Sequence, residues 1–74
     1  MASPRRIVFM TETPDDHNNG EANINFIGEA KHKLSPFRAG YGKFEKTHYW
    51  SLSHEDSHQA YQVLKSLFKI VRRA

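Results

Sequence analysis

The sequence contains no cysteine, which excludes disulfides, thiolate zinc sites and a cysteine nucleophile, and fits a reducing compartment. It also lacks any apolar run long enough to cross a bilayer, and no apolar stretch of signal-peptide type follows the basic start Pro4-Arg5-Arg6. The expectation is an intracellular, cytoplasmic protein without membrane contact. No G-x-S-x-G elbow, phosphate-binding glycine loop or dinucleotide fingerprint is present. Ser51, Ser53 and Ser57 stand near histidines in sequence, but such adjacency does not align a nucleophile, a base and an orienting group. These absences point to a non-enzymatic protein that needs no cofactor. Length is scarce too: 74 residues make one small domain, spanning 1–74, with no cleft between lobes. At that size folding buries roughly 60% of the unfolded chain's surface, so a partner or a second copy, as in a homodimer, has stability to contribute.

The formal charge of +3 is mild, yet unevenly distributed. Residues 1–30 set Arg5 and Arg6 against Glu12, Asp15, Asp16, Glu21 and Glu29, a net −3. Residues 31–74 set nine Lys or Arg against Glu45, Glu55 and Asp56, a net +6, and hold all but one of the five histidines. A basic second part suits a polyanion partner, and equally a solvated face that maintains solubility.

Arg6 to Thr13 alternates Ile7, Phe9 and Thr11 with Val8, Met10 and Glu12, which predicts a strand over about 6–13. Pro14-Asp15-Asp16-His17-Asn18-Asn19-Gly20 is a concentrated turn signal. From Ala22 the alternation of Ile24 and Phe26 with Asn23 and Asn25 predicts a second strand over about 22–33, with Gly28 as a possible bulge. Leu34 to Gly42 reads as irregular around Pro36, Gly40 and Gly42. A third strand is expected over about 43–52, with Trp50 and Leu52 as its inward residues. Ser53 is a capping residue followed by Glu55 and Asp56, which opens a helix expected over about 54–72. Its packing stripe at about 100° per residue is Ser57, Ala60, Tyr61, Leu64, Leu67, Phe68 and Val71. One flank carries His54, His58, Lys65, Lys69 and Arg72, the other Val63 and Ile70. The expected fold is α+β: a three-stranded antiparallel sheet in the order β-β-β-α, packed on one C-terminal amphipathic helix, with the other sheet face open.

Arg38-Ala39-Gly40-Tyr41-Gly42-Lys43-Phe44, continuing to Lys46, His48, Tyr49 and Trp50, interleaves rings with cations. Rings stack on bases, cations meet phosphates and glycines admit a close backbone, a composition suited to single-stranded nucleic acid. The segment partly resembles the sheet motif of RNA-recognition domains, in which a basic residue precedes Gly-Tyr-Gly and another aromatic. It departs from that motif at Ala39, where the basic residue belongs, and at Lys43, inserted before Phe44. The Asp- and Asn-rich loop after the first strand leaves no room for that family's first helix, so membership is not assigned. The same residues also read as a glycine-rich turn whose aromatics supply core.

His54-Glu55-Asp56-Ser57-His58 satisfies H-E-x-x-H, the zinc-binding pattern in which two histidines share one helical face. Here it falls in an exposed first turn behind a capping serine, without a third ligand, so His54 and His58 are weak metal candidates. Arg5, Arg6, Arg72 and Arg73 are solvated termini or phosphate contacts. Val63 and Ile70 are the periphery of a wide core face or a contact for another chain. Glu12, Asp15 and Asp16 lack calcium-loop spacing and read as an acidic turn.

Two functions follow, and the residues admit both. The first is a module that binds nucleic acid or a nucleoprotein complex through Arg38, Tyr41, Lys43, Phe44, Lys46, Tyr49, Lys65, Lys69 and Arg72. The second is a stand-alone inhibitor or adaptor, of the kind mobile elements and phages encode, that blocks a larger nucleic-acid-handling machine, with Val63 and Ile70 in its protein interface.

Overall fold

The computed structural model describes residues 5–12 and 20–74, with side chains from residue 27 onward in the second segment. The turn expected around Pro14 to Asn19, with Asp15 and Asp16, lies outside the described residues. The described chain runs β1 (Arg6–Glu12), α1 (Gly20–Leu34), a 3-10 turn (Ser35–Phe37), β2 (Gly40–Phe44), β3 (Thr47–Ser53), a second 3-10 turn (His54–Asp56), α2 (Ser57–Leu67) and β4 (Val71–Arg73). The four strands form one antiparallel sheet in the order β2-β3-β1-β4. This is an α+β fold, and its β-α-β-β-α-β succession is the split β-α-β topology.

Three expectations are corrected. The span read as a second strand, about 22–33, is helical. The Ile24/Phe26 alternation covers only a few residues, whereas Ile27, Ala30 and Leu34 recur at helical spacing. Ala30 and Leu34 are fully buried, and Ile27 packs against the same core. Glu29 and Lys33, one turn apart on the solvent side, form a 3.1 Å ion pair. Gly28 is therefore an exposed helix residue and not a bulge. The helix also removes the reason for excluding room for a first helix after β1.

The run read as a single strand over about 43–52 is a hairpin. β2 and β3 close on the pair Phe44↔Thr47 around the two-residue turn Glu45-Lys46, with Glu45 at φ 56° supplying the left-handed residue that tight hairpins require. The segment from Gly40 that reads as a glycine-rich loop is thus strand β2.

The last helix stops at Leu67, short of 72. Phe68 turns extended, its N–H donating to the Leu64 carbonyl at 2.8 Å, and its ring is buried. The β-branched Val71 then begins β4, which pairs Thr11↔Val71, Met10↔Arg72 and Phe9↔Arg73. This fourth strand satisfies the backbone edge of β1 that a three-stranded sheet leaves bare. Ser53 caps the 3-10 turn that leads into α2, its Oγ accepting from the Asp56 N–H at 3.3 Å, and α2 itself begins only at Ser57.

Both the expected alternation and the expected inward residues recur in the core. Ile7, Phe9, Trp50 and Leu52 from the sheet meet Ala30 and Leu34 of α1, Ala60 and Leu64 of α2, and Phe68. Two polar side chains are buried with them, Thr11 and His48. Thr11 Oγ1 accepts from Trp50 Nε1 at 2.9 Å, so neither group lacks a partner.

Candidate functional site

Strand register determines what each face of the sheet presents. Ile7, Phe9, Thr11, His48, Trp50 and Leu52 lie on the helix side, and the residues between them lie on the other. Across that second face runs a row Gly42, Tyr49, Met10, Arg72. Gly40, Ser51 and Val8 form the row on one side, Phe44, Thr47 and Glu12 the row on the other. Val8, Met10, Thr47, Tyr49 and Ser51 are half-buried, and Phe44 is 66% exposed. Gly42 has no side chain, and a Cβ built there meets nothing within 4 Å, so nothing separates Tyr49 from the β2 edge in its row.

Two guanidinium groups belong to this face. Arg6 donates through Nε to Ser51 Oγ at 3.1 Å and through Nη2 to the Ser51 carbonyl at 2.9 Å. Arg72 Nη2 meets Glu12 Oε2 at 3.3 Å, with both side chains more than half exposed, so the pair is weak and exchangeable.

The other sequence-derived candidates are dispersed. Tyr41 lies on the helix side of β2, opposite Trp50 in the register. Its hydroxyl is 2.6 Å from His48 Nδ1 and its ring centroid 4.7 Å from that of Trp50. Lys31 Nζ stands 4.4 Å over the Tyr41 ring, a cation–π contact that no strand at this position provides. Burial raises the Tyr41 pKa. Burial, reinforced by the charges of Lys43 and Lys31, lowers that of His48. Lys43 pairs with His48 on the same side, while Lys46 occupies the exposed hairpin turn. Arg38 is exposed in a left-handed conformation, φ 55°, its N–H donating to the Ser35 carbonyl at 3.0 Å.

On α2, Lys65 Nζ lies 5.3 Å from the Tyr61 ring centroid. Lys69 and Arg72 are not on that helix, which ends before them, so the basic flank expected there divides between α2, the connection and β4. Val63 and Ile70 separate likewise: Val63 packs against the core, and Ile70 is 60% exposed between α2 and β4.

His54 and His58 line one open groove of about 370 Å³ with Ile7, Phe9, Ser57, Tyr61, Val71 and Arg73. A guanidinium in that lining repels a metal cation. Among the described residues no three His, Asp or Glu side chains gather to hold a metal. No helix among them is long and apolar enough to cross a membrane.

Comparison with protein-family models, with curated proteins and with solved structures gives no significant match. The functional reading therefore rests on residues and geometry. The structure adds Val8, Met10 and Arg6 to the face that holds Phe44 and Tyr49, and the alternation of β1 already carried the signal for the first two. Lys31 was legible only as part of a basic stretch, because its place beside Tyr41 depends on the helix.

Proposed function

We propose that this chain is a non-enzymatic binding protein that contacts single-stranded nucleic acid, free or within a nucleoprotein complex, through the open face of its sheet. The observation that carries the reading is the row Gly42, Tyr49, Met10, Arg72 on the side that no described helix side chain packs against, with Phe44 exposed beside it. A flat, half-buried ring is held in place by the sheet and has no side chain beyond it toward β2. Such a platform stacks a base without choosing which base. Arg6 and Arg72 supply cations for the backbone that tracks past it, and RNA-binding four-stranded sheets use aromatics in this manner.

Fluorescence anisotropy with labelled single strands of about 12 nucleotides and with the matching duplex tests the reading. Single strands bind more tightly than duplex, and affinity falls linearly on a log–log plot against salt. Tyr49→Ala weakens binding by about 1–3 kcal/mol, the contribution of one stacked base. Arg6→Gln and Arg72→Gln each reduce the salt slope by about 0.7. A chain whose affinity for oligonucleotides is indifferent to both Tyr49→Ala and salt does not work this way.

A further inference from the structure

The outer edge of β2, which shares Gly42 and Phe44 with the open face but offers backbone groups rather than a ring platform, carries an inference that does not depend on the nucleic-acid reading. Among the described residues, β2 ends the sheet and pairs on one side only, to β3. The direction of its backbone groups follows from the ladder. The His54 N–H donates to the Arg5 carbonyl at 2.9 Å. In the antiparallel alternation, Leu52, Trp50 and His48 therefore exchange bonds with β1, and Ser51, Tyr49 and Thr47 with Gly40, Gly42 and Phe44 of β2. Tyr41 and Lys43 are left with N–H and C=O groups directed away from the sheet. Among the described residues, no backbone hydrogen bond from outside the strands reaches them.

Such an edge is a template for another strand, and its side chains select which. On the helix side it presents Lys43 and, over the Tyr41 ring at 4.4 Å, Lys31 of α1. On the opposite side Gly40 and Gly42 leave the backbone approachable, and Phe44 adds an exposed apolar ring. β2 itself contains no acidic residue. A second copy is a poor occupant, since antiparallel pairing of two β2 strands places the lysines of both copies on the same side of the joined sheet, where like charges repel. An acidic strand meets the same lysines as counter-charges. One feature thus disfavours self-pairing and favours a partner of opposite charge.

We propose that the β2 edge binds an extended acidic segment of a partner protein as a fifth strand. Backbone bonds to Tyr41 and Lys43 hold the segment. Its alternate Asp or Glu side chains face Lys31 and Lys43, and its intervening apolar side chains face Phe44.

The probe is a capped peptide of about eight residues alternating Glu and Val, with a Lys/Val peptide as its charge-reversed control. Amide exchange of the isotope-labelled full chain, followed by NMR, is the readout. The Glu/Val peptide slows exchange at Tyr41 and Lys43 by about tenfold at saturation, and leaves Gly40 and Gly42, already bonded to β3, unchanged. Lys43→Pro deletes an outward donor without removing a bond to β3 and abolishes the effect. The double change Lys31→Glu with Lys43→Glu keeps every backbone donor and reverses the preference, so that the Lys/Val peptide binds about tenfold better than Glu/Val. Arg72→Gln, at the β4 end of the open face, leaves peptide binding intact, which separates this surface from the open face. Equal binding of both peptides, no slowing at Tyr41 and Lys43, or slowing of those amides by a single-stranded oligonucleotide but not by the peptide overturns the proposal.

Discussion

The two faces of one sheet are built from the same strands and do opposite things. On β3 the helix side reads His48, Trp50, Leu52 and the open side Thr47, Tyr49, Ser51, Ser53. The first three are buried and the other four only half so. The helix side is sealed by Ala30, Leu34, Ala60, Leu64 and Phe68, and its polar groups are paired internally, as Trp50 with Thr11. The open side places two aromatic rings, a thioether and two guanidinium groups where no described side chain of either helix reaches them. Stability and recognition are thus assigned to alternate residues of the same strand. A substitution moved by one position changes which of the two it perturbs.

The largest test of that division compares neighbours on β3. Trp50→Ala removes the largest fully buried side chain and leaves Thr11 without its donor. It costs about 3–5 kcal/mol, comparable to much of what a domain this small has to lose. Tyr49→Ser, one residue away on the other face, changes stability by no more than about 1 kcal/mol while removing the proposed base platform. Urea melts followed by circular dichroism measure both. Equal losses mean that Tyr49 is structural, and the contrast between the faces fails.

A smaller effect distinguishes the faces by pH. His48 is 3% exposed, and burial, with help from Lys43 and Lys31, holds its pKa below the ordinary value. The unfolded chain therefore takes up a proton at His48 near pH 6.5 while the folded chain stays neutral there. Its contribution to stability is complete above about pH 6.5 and is lost as pH falls toward the folded-state value. Urea midpoints measured between about pH 7.5 and 5.5 should drop on acidification, and His48→Gln should flatten the trend. A decline that persists unchanged in His48→Gln assigns it to groups outside the helix side.

What the sequence made legible was chiefly the central strands. Ile7, Phe9 and Thr11 alternate without interruption, and Trp50 and Leu52 stand at the parity that the core uses. The hairpin was hidden because Glu45-Lys46 carries none of the Asn or Gly that marks a tight turn. The residues on either side of it therefore read as one run, whereas Phe44 pairs with Thr47, on the open face. α1 is masked in the sequence because a short polar alternation precedes the helical spacing of Ile27, Ala30 and Leu34. β4 is hidden because Phe68 and Val71 continue the helical stripe of α2, and both pack against the core. Three residues are also too few to show a period of their own. For the candidate site, residue types were readable and faces were not. Tyr41, Phe44 and Tyr49 form one aromatic group in sequence, and the hairpin divides them, with Tyr41 against Trp50 and the other two outside.

The smallest effect sharpens the comparison by belonging to neither face. Gly28 lies exposed within α1, and a Cβ built there meets nothing within 4 Å. Gly28→Ala therefore adds no contact to the core, the open face or the β2 edge. It acts by reducing the freedom of the unfolded chain and favouring the helix, which raises stability by about 0.4–1 kcal/mol. The rise in melting temperature should come with unchanged oligonucleotide and peptide affinities. If binding at either surface strengthens with it, that surface is ordered by the same equilibrium that forms α1, and a loss of binding in a destabilised variant at that surface is to be credited to folding before it is credited to a lost contact.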